Sequence, residues 1–411
     1  MDRRNKMAKT IALLGALDTK GAEYGFVKKC IEDRGLETLL IDVGVLDPPV
    51  LEPDVPRAEV ADAAGANIEE LAAQRDRGQA VAAMSRGAAC ILASLHADGK
   101  FDGVIALGGT GGTSVACNAM RALPLGVPKV MVSTVAGSDV SGYVGVKDIV
   151  MVPSIVDVSG VNKISRDVFA RAAGAICGMV DAIVPAGEDR PLIVASMFGN
   201  TTPAVEAAKA ILEKSGYEVL VFHCTGTGGK TMESLIDAGL ISGVLDMTTT
   251  EWADELVGGV FTAGPNRLEA AARQAVPAIV TPACLDMVNF WAPDTVPEKF
   301  KQRTFYQHNP NVTLMRTNVE ECRRLGEIVA EKLNSSKAPV TVLLPLNGMS
   351  MIDAPGGPFW WPEADQALYE ALKQNIRTGI SVIEMDCNIN DAEFAQRCAE
   401  ALLENIESCR S

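Results

Sequence analysis

The chain has 411 residues, room for two or three domains, and its 48% hydrophobic and 22% charged content is that of a globular protein with a large core. Its net charge of −15 argues against nucleic acid or an anionic membrane as a general partner, so any bound anion must be held by local donors. Ten cysteines with no C-x-x-C pair fit scattered thiols in a reducing cytoplasm, three histidines (His96, His223, His308) give a zinc site little to build from, and no run of about 18 uncharged apolar residues suggests a transmembrane helix.

The N-terminus is basic and then apolar, like a signal peptide, but Asp18 and Lys20 follow the short apolar run at once. A first buried strand, Thr10–Leu17, fits better, with Met7 a candidate start and Met1–Lys6 an extension. A helix is expected from Gly21 to Arg34 and a second strand over Thr38–Val43, leading into the proline-rich Leu46–Pro56. Apolar spacing predicts one helical stretch from Ile68 to Leu95, then strands at Gly103–Leu107 and Lys129–Ser133 and a helix after Asn162. Val184–Pro191 reads as a linker, which places lobes at 1–184 and 192–411 with residues 185–191 between them.

Beyond the linker the alternation restarts with strands Leu192–Phe198 and Glu218–Cys224 around a helix ending near Ser215. VPAIVTPA, VTLMRTN, PVTVLLPL and SVIEMD supply further strands, and a last helix near Asp391 buries Phe394, Cys398 and Leu402. Continuous apolar strands alternating with helices predict two Rossmann-like, doubly wound α/β lobes with largely parallel sheets.

The candidate chemistry lies in the loops at strand ends. LGGTGGTSVA, with Gly109, Thr110, Gly111, Gly112 and Thr113, follows a strand and opens a helix, where backbone N–H groups converge on phosphate oxygens. HCTGTGGKTME offers Thr225, Gly226, Thr227, Gly228, Gly229 and the cation Lys230, but fails the Walker A spacing because Cys224 stands where a glycine is required. Asp18, Thr19 and Lys20 form a third such turn, with Asp18 a Mg²⁺ or ribose ligand or simply part of a helix cap. Ser133 and Ser138, and Asn200 and Thr201, occupy two more. His223 and Glu251, with Lys230, are the acid–base candidates, whereas Cys284 reads as a core thiol.

Together, GALDTKGAEYGFV, LLIDVGVLDPP, LGGTGGTSVACNAMRALPLGVPK, VSTVAGSD and HCTGTGGKTMESLI resemble the ATP-binding family typified by the N-terminal region of the tomato tobamovirus-resistance protein, from about Lys9 to Glu404. The resemblance implies two Rossmann-like lobes, ATP binding and self-association as a dimer. The leading expectation is a cytoplasmic, metabolic ATP-binding protein that holds phosphates, with possible Mg²⁺, in a cleft between the lobes. The alternatives are an enzyme acting on a small carboxylate or phosphorylated acid, and a nucleotide-regulated interaction module without turnover.

Overall fold

The computed structural model describes residues 9–185 and 187–410. Met1–Lys6 and Met7 at the N-terminus, and Ala186 in the expected linker, lie outside the described residues. The chain divides into two units, Met1–Ala186 and Gly187–Ser411, each with its own parallel sheet.

The first unit runs β1 (Thr10–Gly15), α1 (Leu17–Glu32), β2 (Glu37–Asp42), α2 (Arg57–Ala63), α3 (Ile68–Gln74), α4 (Arg77–Ala97), β3 (Gly103–Gly108), α5 (Thr110–Arg121), β4 (Lys129–Ser133), α6 (Ser141–Val144), β5 (Val150–Pro153) and α7 (Lys163–Asp181). The strand order is β2-β1-β3-β4-β5, all parallel. Side chains alternate along each strand, so both faces must be apolar. Ile11, Leu13 and Ile105 pack against α1 and α7, while Ala12, Leu14 and Ala106 pack against α4 and α5. The single helix expected from Ile68 to Leu95 is two. Arg75 takes a left-handed φ of 52° and the Asp76 side chain accepts from Gly78 and Gln79 N–H to start α4, a two-residue break that apolar spacing does not register.

The second unit runs β6 (Leu192–Met197), α8 (Thr202–Lys214), β7 (Glu218–His223), α9 (Thr227–Asp237), β8 (Ile241–Asp246), α10 (Glu251–Val257), α11 (Ala270–Arg273), β9 (Ala278–Val280), β10 (Met287–Phe290), β11 (Phe305–Asn309), β12 (Val312–Arg316), α12 (Val319–Leu333), β13 (Val340–Pro345), α13 (Pro362–Asn375), β14 (Ser381–Met385) and α14 (Ala392–Ser408). Six strands form a parallel sheet in the order β14-β13-β9-β8-β6-β7. The expected strand VTLMRTN is β12, but it pairs antiparallel with β10 and β11 in a separate three-stranded sheet. Its polar–apolar pattern gives a strand without giving its partner. On α14, Phe394, Cys398 and Leu402 are buried as their four-residue spacing demands.

By length and composition alone α4 could cross a membrane. In the structure its Gly87 lies so close to α2 that a Cβ there would come within 1.8 Å of the Val60 carbonyl oxygen, so the helix is packed against its own lobe.

Tyr24, fully buried on α1, ties β1 to β3 at the end of their pairing. Its hydroxyl donates to the Leu14 carbonyl (2.6 Å) and accepts from Leu107 N–H (2.8 Å). Gly15 must be glycine, because a Cβ there would sit 1.9 Å from the Tyr24 ring. Tyr24→Phe strands a buried N–H and carbonyl and should cost about 1–3 kcal/mol in urea denaturation; an unchanged midpoint would refute this bridge.

Candidate functional site

From β1 the chain crosses by α1 to β2 on one side, and from β3 it crosses by α5 to β4 on the other, so a crevice opens between β1 and β3 at the carboxyl edge. Open α/β sheets place their ligands at this point of reversal. The GGTGG loop sits there. Gly109 is the N-cap of α5 and brings no side chain to its first turn. Among the described residues, no side chain accepts from Thr110, Gly111 or Gly112 N–H.

Of the four glycines in this loop, Gly109 and Gly112 are not required by the protein's own packing, and Gly111 is crowded only by the end of the Arg77 side chain. Gly109, Gly111 and Gly112 have negative φ, and a Cβ on each would find its nearest atom at 3.7, 3.3 and 3.7 Å. Glycine in a helical turn costs about 0.5–1 kcal/mol relative to alanine, so the room beside Gly109 and Gly112 is suited to an incoming group, and at Gly111 only a movable side chain crowds the position. The atom nearest to Gly111 is Nη2 of Arg77, which makes no ion pair among the described residues. A guanidinium over a bare helix N-terminus is an anion site with two sources of positive potential.

The loop forms the floor of a cavity of about 460 Å³, also lined by Thr19, Lys20 and Arg77. It joins a second cavity of about 720 Å³ through shared walls at Ala16, Val43, Val81 and Val115. The larger chamber is bounded by Val45, Leu46, Leu71 and Met84, with Arg75 and Asp18 at polar points. Thr19 is exposed within α1, whose N-cap is Ala16, and Lys20 marks a kink with φ −126°. Asp18 Oδ2 accepts from Leu46 N–H (3.0 Å) and holds the loop after β2, while its Oδ1 is buried with no hydrogen-bond partner among the described residues.

The other expected residues of this lobe face inward or lie apart. Thr113 Oγ1 bonds Ser133 Oγ (2.7 Å) and donates to the Gly109 carbonyl (2.8 Å), so these two hydroxyls brace the loop. Ser138 is exposed and its hydroxyl donates to the Val135 carbonyl.

The second glycine loop has a different fate. Glu251, fully buried at the start of α10, accepts through Oε1 from Gly226 N–H (2.8 Å) and Gly229 N–H (3.0 Å). Its Oε2 pairs with Arg267 Nε at 2.8 Å. Arg267 also holds Asp246 at 2.6 Å and Glu233 at 3.2 Å, all in the protein interior. The expected phosphate donors Gly226 and Gly229 are thus engaged by an internal carboxylate. Gly226 has φ +81°, and a Cβ on Gly228 or Gly229 would lie 1.8 Å from the His223 carbonyl or 2.0 Å from Glu251, so packing alone demands glycine here.

The expected acid–base set meets the same geometry. Burial raises the Glu251 pKa against the opposing pull of Arg267, and both its oxygens are occupied. His223 packs its ring 5.5 Å from that of Phe198, with its pKa lowered by partial burial. Lys230 and Thr227 are exposed, and Thr225 Oγ1 turns back to the His223 carbonyl. Asn200 and Thr201 are buried after β6, where Thr201 Oγ1 meets Thr248 Oγ1 at 2.8 Å. Cys284 is fully buried, as a core thiol should be. Sequence reading missed Arg77 and Arg267; the first had a signal in the RDRG break of an apolar helical pattern, and the second had none.

Glu251→Ala would leave Arg267 and two buried N–H groups short of a partner and should destabilise the chain by about 3–5 kcal/mol in chemical denaturation. Three residues farther on, Asp254 accepts from Asn289 N–H (2.6 Å) and Phe261 N–H (2.8 Å), and burial pushes its pKa up to about 7. The folded state therefore favours the neutral acid. Stability from this group is complete below its ordinary value of 3.8 and is lost as pH rises to about 7. In Asp254→Asn that part of the stability–pH curve should flatten, and an unchanged slope would count against it.

Models of an uncharacterised protein family, UPF0261, match this chain: the N-terminal domain over residues 9–185 and the C-terminal domain over 190–406. A UPF0261 protein of Clostridium tetani is 51% identical over 403 residues, covering 98% of this chain and 100% of that one. One of Mesorhizobium japonicum is 44% identical, over 96% of this chain and 98% of that one. The ToMV resistance protein Tm-1 of Solanum lycopersicum is 42% identical over 338 residues, 80% of this chain but 45% of the tomato protein. Among solved structures, a thioesterase domain from the curacin biosynthetic pathway covers 53% of this chain and 92% of its own at 14% identity, with a TM-score of 0.26, too low to carry an argument.

Proposed function

The chain belongs to the UPF0261 family, and we propose that its N-terminal lobe binds ATP, with the phosphates on the GGTGG loop and the adenosine in the larger adjoining chamber. The observation that carries this reading is the loop itself: Gly109 and Gly112 with room beside them, Gly111 facing the Arg77 guanidinium, and, among the described residues, first-turn N–H groups with no side-chain acceptor and no ion pair on Arg77. The joined cavities fit a ligand with one polyanionic end and one flat, largely apolar end, and Leu71, Val81 and Met84 supply the apolar wall. Against a net charge of −15, Arg77 and Lys20 provide the local attraction that the overall field denies.

Mg²⁺ belongs to this proposal as a companion of the phosphates. Among the described residues no group of three or more His, Cys, Asp or Glu could hold a metal, and Asp18, with its unpartnered Oδ1, is the side chain offered to it. Self-association as a dimer and a cytoplasmic setting are part of the same proposal, supported by the family resemblance and by ten free cysteines.

ATP at 100 times its dissociation constant should add about 2.7 kcal/mol to stability, seen as a thermal shift that small carboxylates do not give. A methyl group at Gly112 meets its nearest atom, the Leu107 carbonyl oxygen, at an ordinary 3.7 Å, so Gly112→Ala should fold with stability equal to or about 0.5–1 kcal/mol above the parent and yet lose at least most of that shift. Arg77→Ala should weaken binding, and the loss should shrink as salt rises. A full ATP shift in both variants would sink the proposal.

A further inference from the structure

The carboxyl edge of the first sheet holds a third chamber that neither phosphate nor base needs. It measures about 480 Å³ and lies beyond the glycine loop at the ends of β4 and β5, and it shares Thr134 and Asp157 with the glycine-loop cavity. Both shared groups are uncommitted: among the described residues the Asp157 carboxylate and the Thr134 hydroxyl have no hydrogen-bond or ion-pair partner. Thr134 is fixed beside the loop. Its N–H donates to the Gly108 carbonyl at 3.2 Å, and its Oγ1 lies 3.7 Å from where a Gly109 side chain would begin.

The wall opposite is held in an uncommon shape. Ile155 has φ +65°, with Val156 N–H bonded to the Ser154 carbonyl at 2.7 Å across it, a three-residue turn that a β-branched side chain disfavours. Ser154 is buried and anchors the turn, its N–H on the Ser133 carbonyl at 3.0 Å and its hydroxyl on the Val156 carbonyl at 2.6 Å. The turn leaves Ile155 73% exposed and sets Asp157 at the junction of the chambers. Backbone strain of this kind persists where the surroundings over-determine it, commonly beside a ligand.

We propose that this chamber receives a small alcohol and that the lobe transfers the terminal phosphoryl group of ATP to it, an inference that rests on the ATP reading above. Pro153, Ile155 and Val156 give the acceptor's carbon skeleton an apolar side, and Thr134 and Asp157 give its hydroxyl a polar one. The acceptor oxygen forms a bond to the terminal phosphorus as the bond from that phosphorus to the β,γ-bridging oxygen breaks. The electron pair leaves with ADP, and the acceptor's proton passes to the Asp157 carboxylate. Arg77 and the first turn of α5 hold the phosphate charge.

The test incubates the full chain with ATP and Mg²⁺, with and without 1,2-propanediol, and follows products by phosphorus NMR while nucleotide affinity is measured separately by fluorescence. ADP and a phosphate monoester of the diol should form, and Asp157→Asn should slow this roughly hundredfold or more with nucleotide affinity unchanged. Thr134→Val should slow the diol-dependent reaction alone. Bound ATP that stays intact overturns the proposal, as does an Asp157→Asn variant of parental rate. A variant whose loss lies in nucleotide affinity also overturns it, because Asp157 would then serve binding. Failure of ATP to bind the parent chain is read in the affinity measurement and sinks the underlying ATP reading itself.

Discussion

A helix that follows a parallel strand ends the strand's carboxyl edge with unsatisfied N–H groups, and what meets those groups decides what each lobe can do. In the second lobe Glu251 meets them. Its carboxylate takes Gly226 and Gly229 N–H and is itself fixed by Arg267, so the loop closes on the protein's own anion. Removing one member leaves several buried partners exposed to an uncompensated charge, which is why the loop, α10 and Arg267 behave as one unit. In the first lobe no side chain among the described residues plays that part at α5, and the same kind of turn stands open beneath Arg77.

The open turn is kept open by rigid neighbours. Tyr24 bridges Leu14 and Leu107 where β1 and β3 separate, and Thr113 and Ser133 lock the base of the loop to β4. Asp18 draws the segment after β2 into position by accepting from Leu46 N–H, and Arg75 and Asp76 break the helical run so that Arg77 begins α4 over the glycines. Binding groups mounted on braced strands and helix ends lose little entropy on meeting a ligand. The polar interior of the second lobe has a different character: Arg316 pairs with Asp365 at 2.5 Å and lies near Asp353 and Asp286, whose pKa values burial drives upward. Such a centre ties β12 to α13 through the Arg316–Asp365 pair.

Much of this was legible in the residues. Period-2 and continuous apolar runs marked β1, β3, β4, β6 and β13, Asn162 announced α7, and the four-residue spacing of Phe394, Cys398 and Leu402 set the face of α14, because burial on two faces or one stripe imposes those patterns directly. GGTGG was recognisable as a strand-to-helix turn for the same local reason. Two loops with a shared Gly-Thr-Gly-Gly core could not be told apart that way. Whether a glycine makes room for a ligand or for its own protein depends on what lies across from it: nothing closer than 3.3 Å for Gly111, and Glu251 at 2.0 Å for Gly229. Glu251, 22 positions from Gly229 and 25 from Gly226, supplies that answer in the second lobe, and Arg77 reaches Gly111 from the start of α4 in the first. The sequence by itself determined the strand–helix alternation and the loops rich in backbone donors, since those follow from local periodicity and glycine content. Only the tertiary structure decided which loop was already occupied, because the occupying charge arrives through long-range packing that no local pattern records.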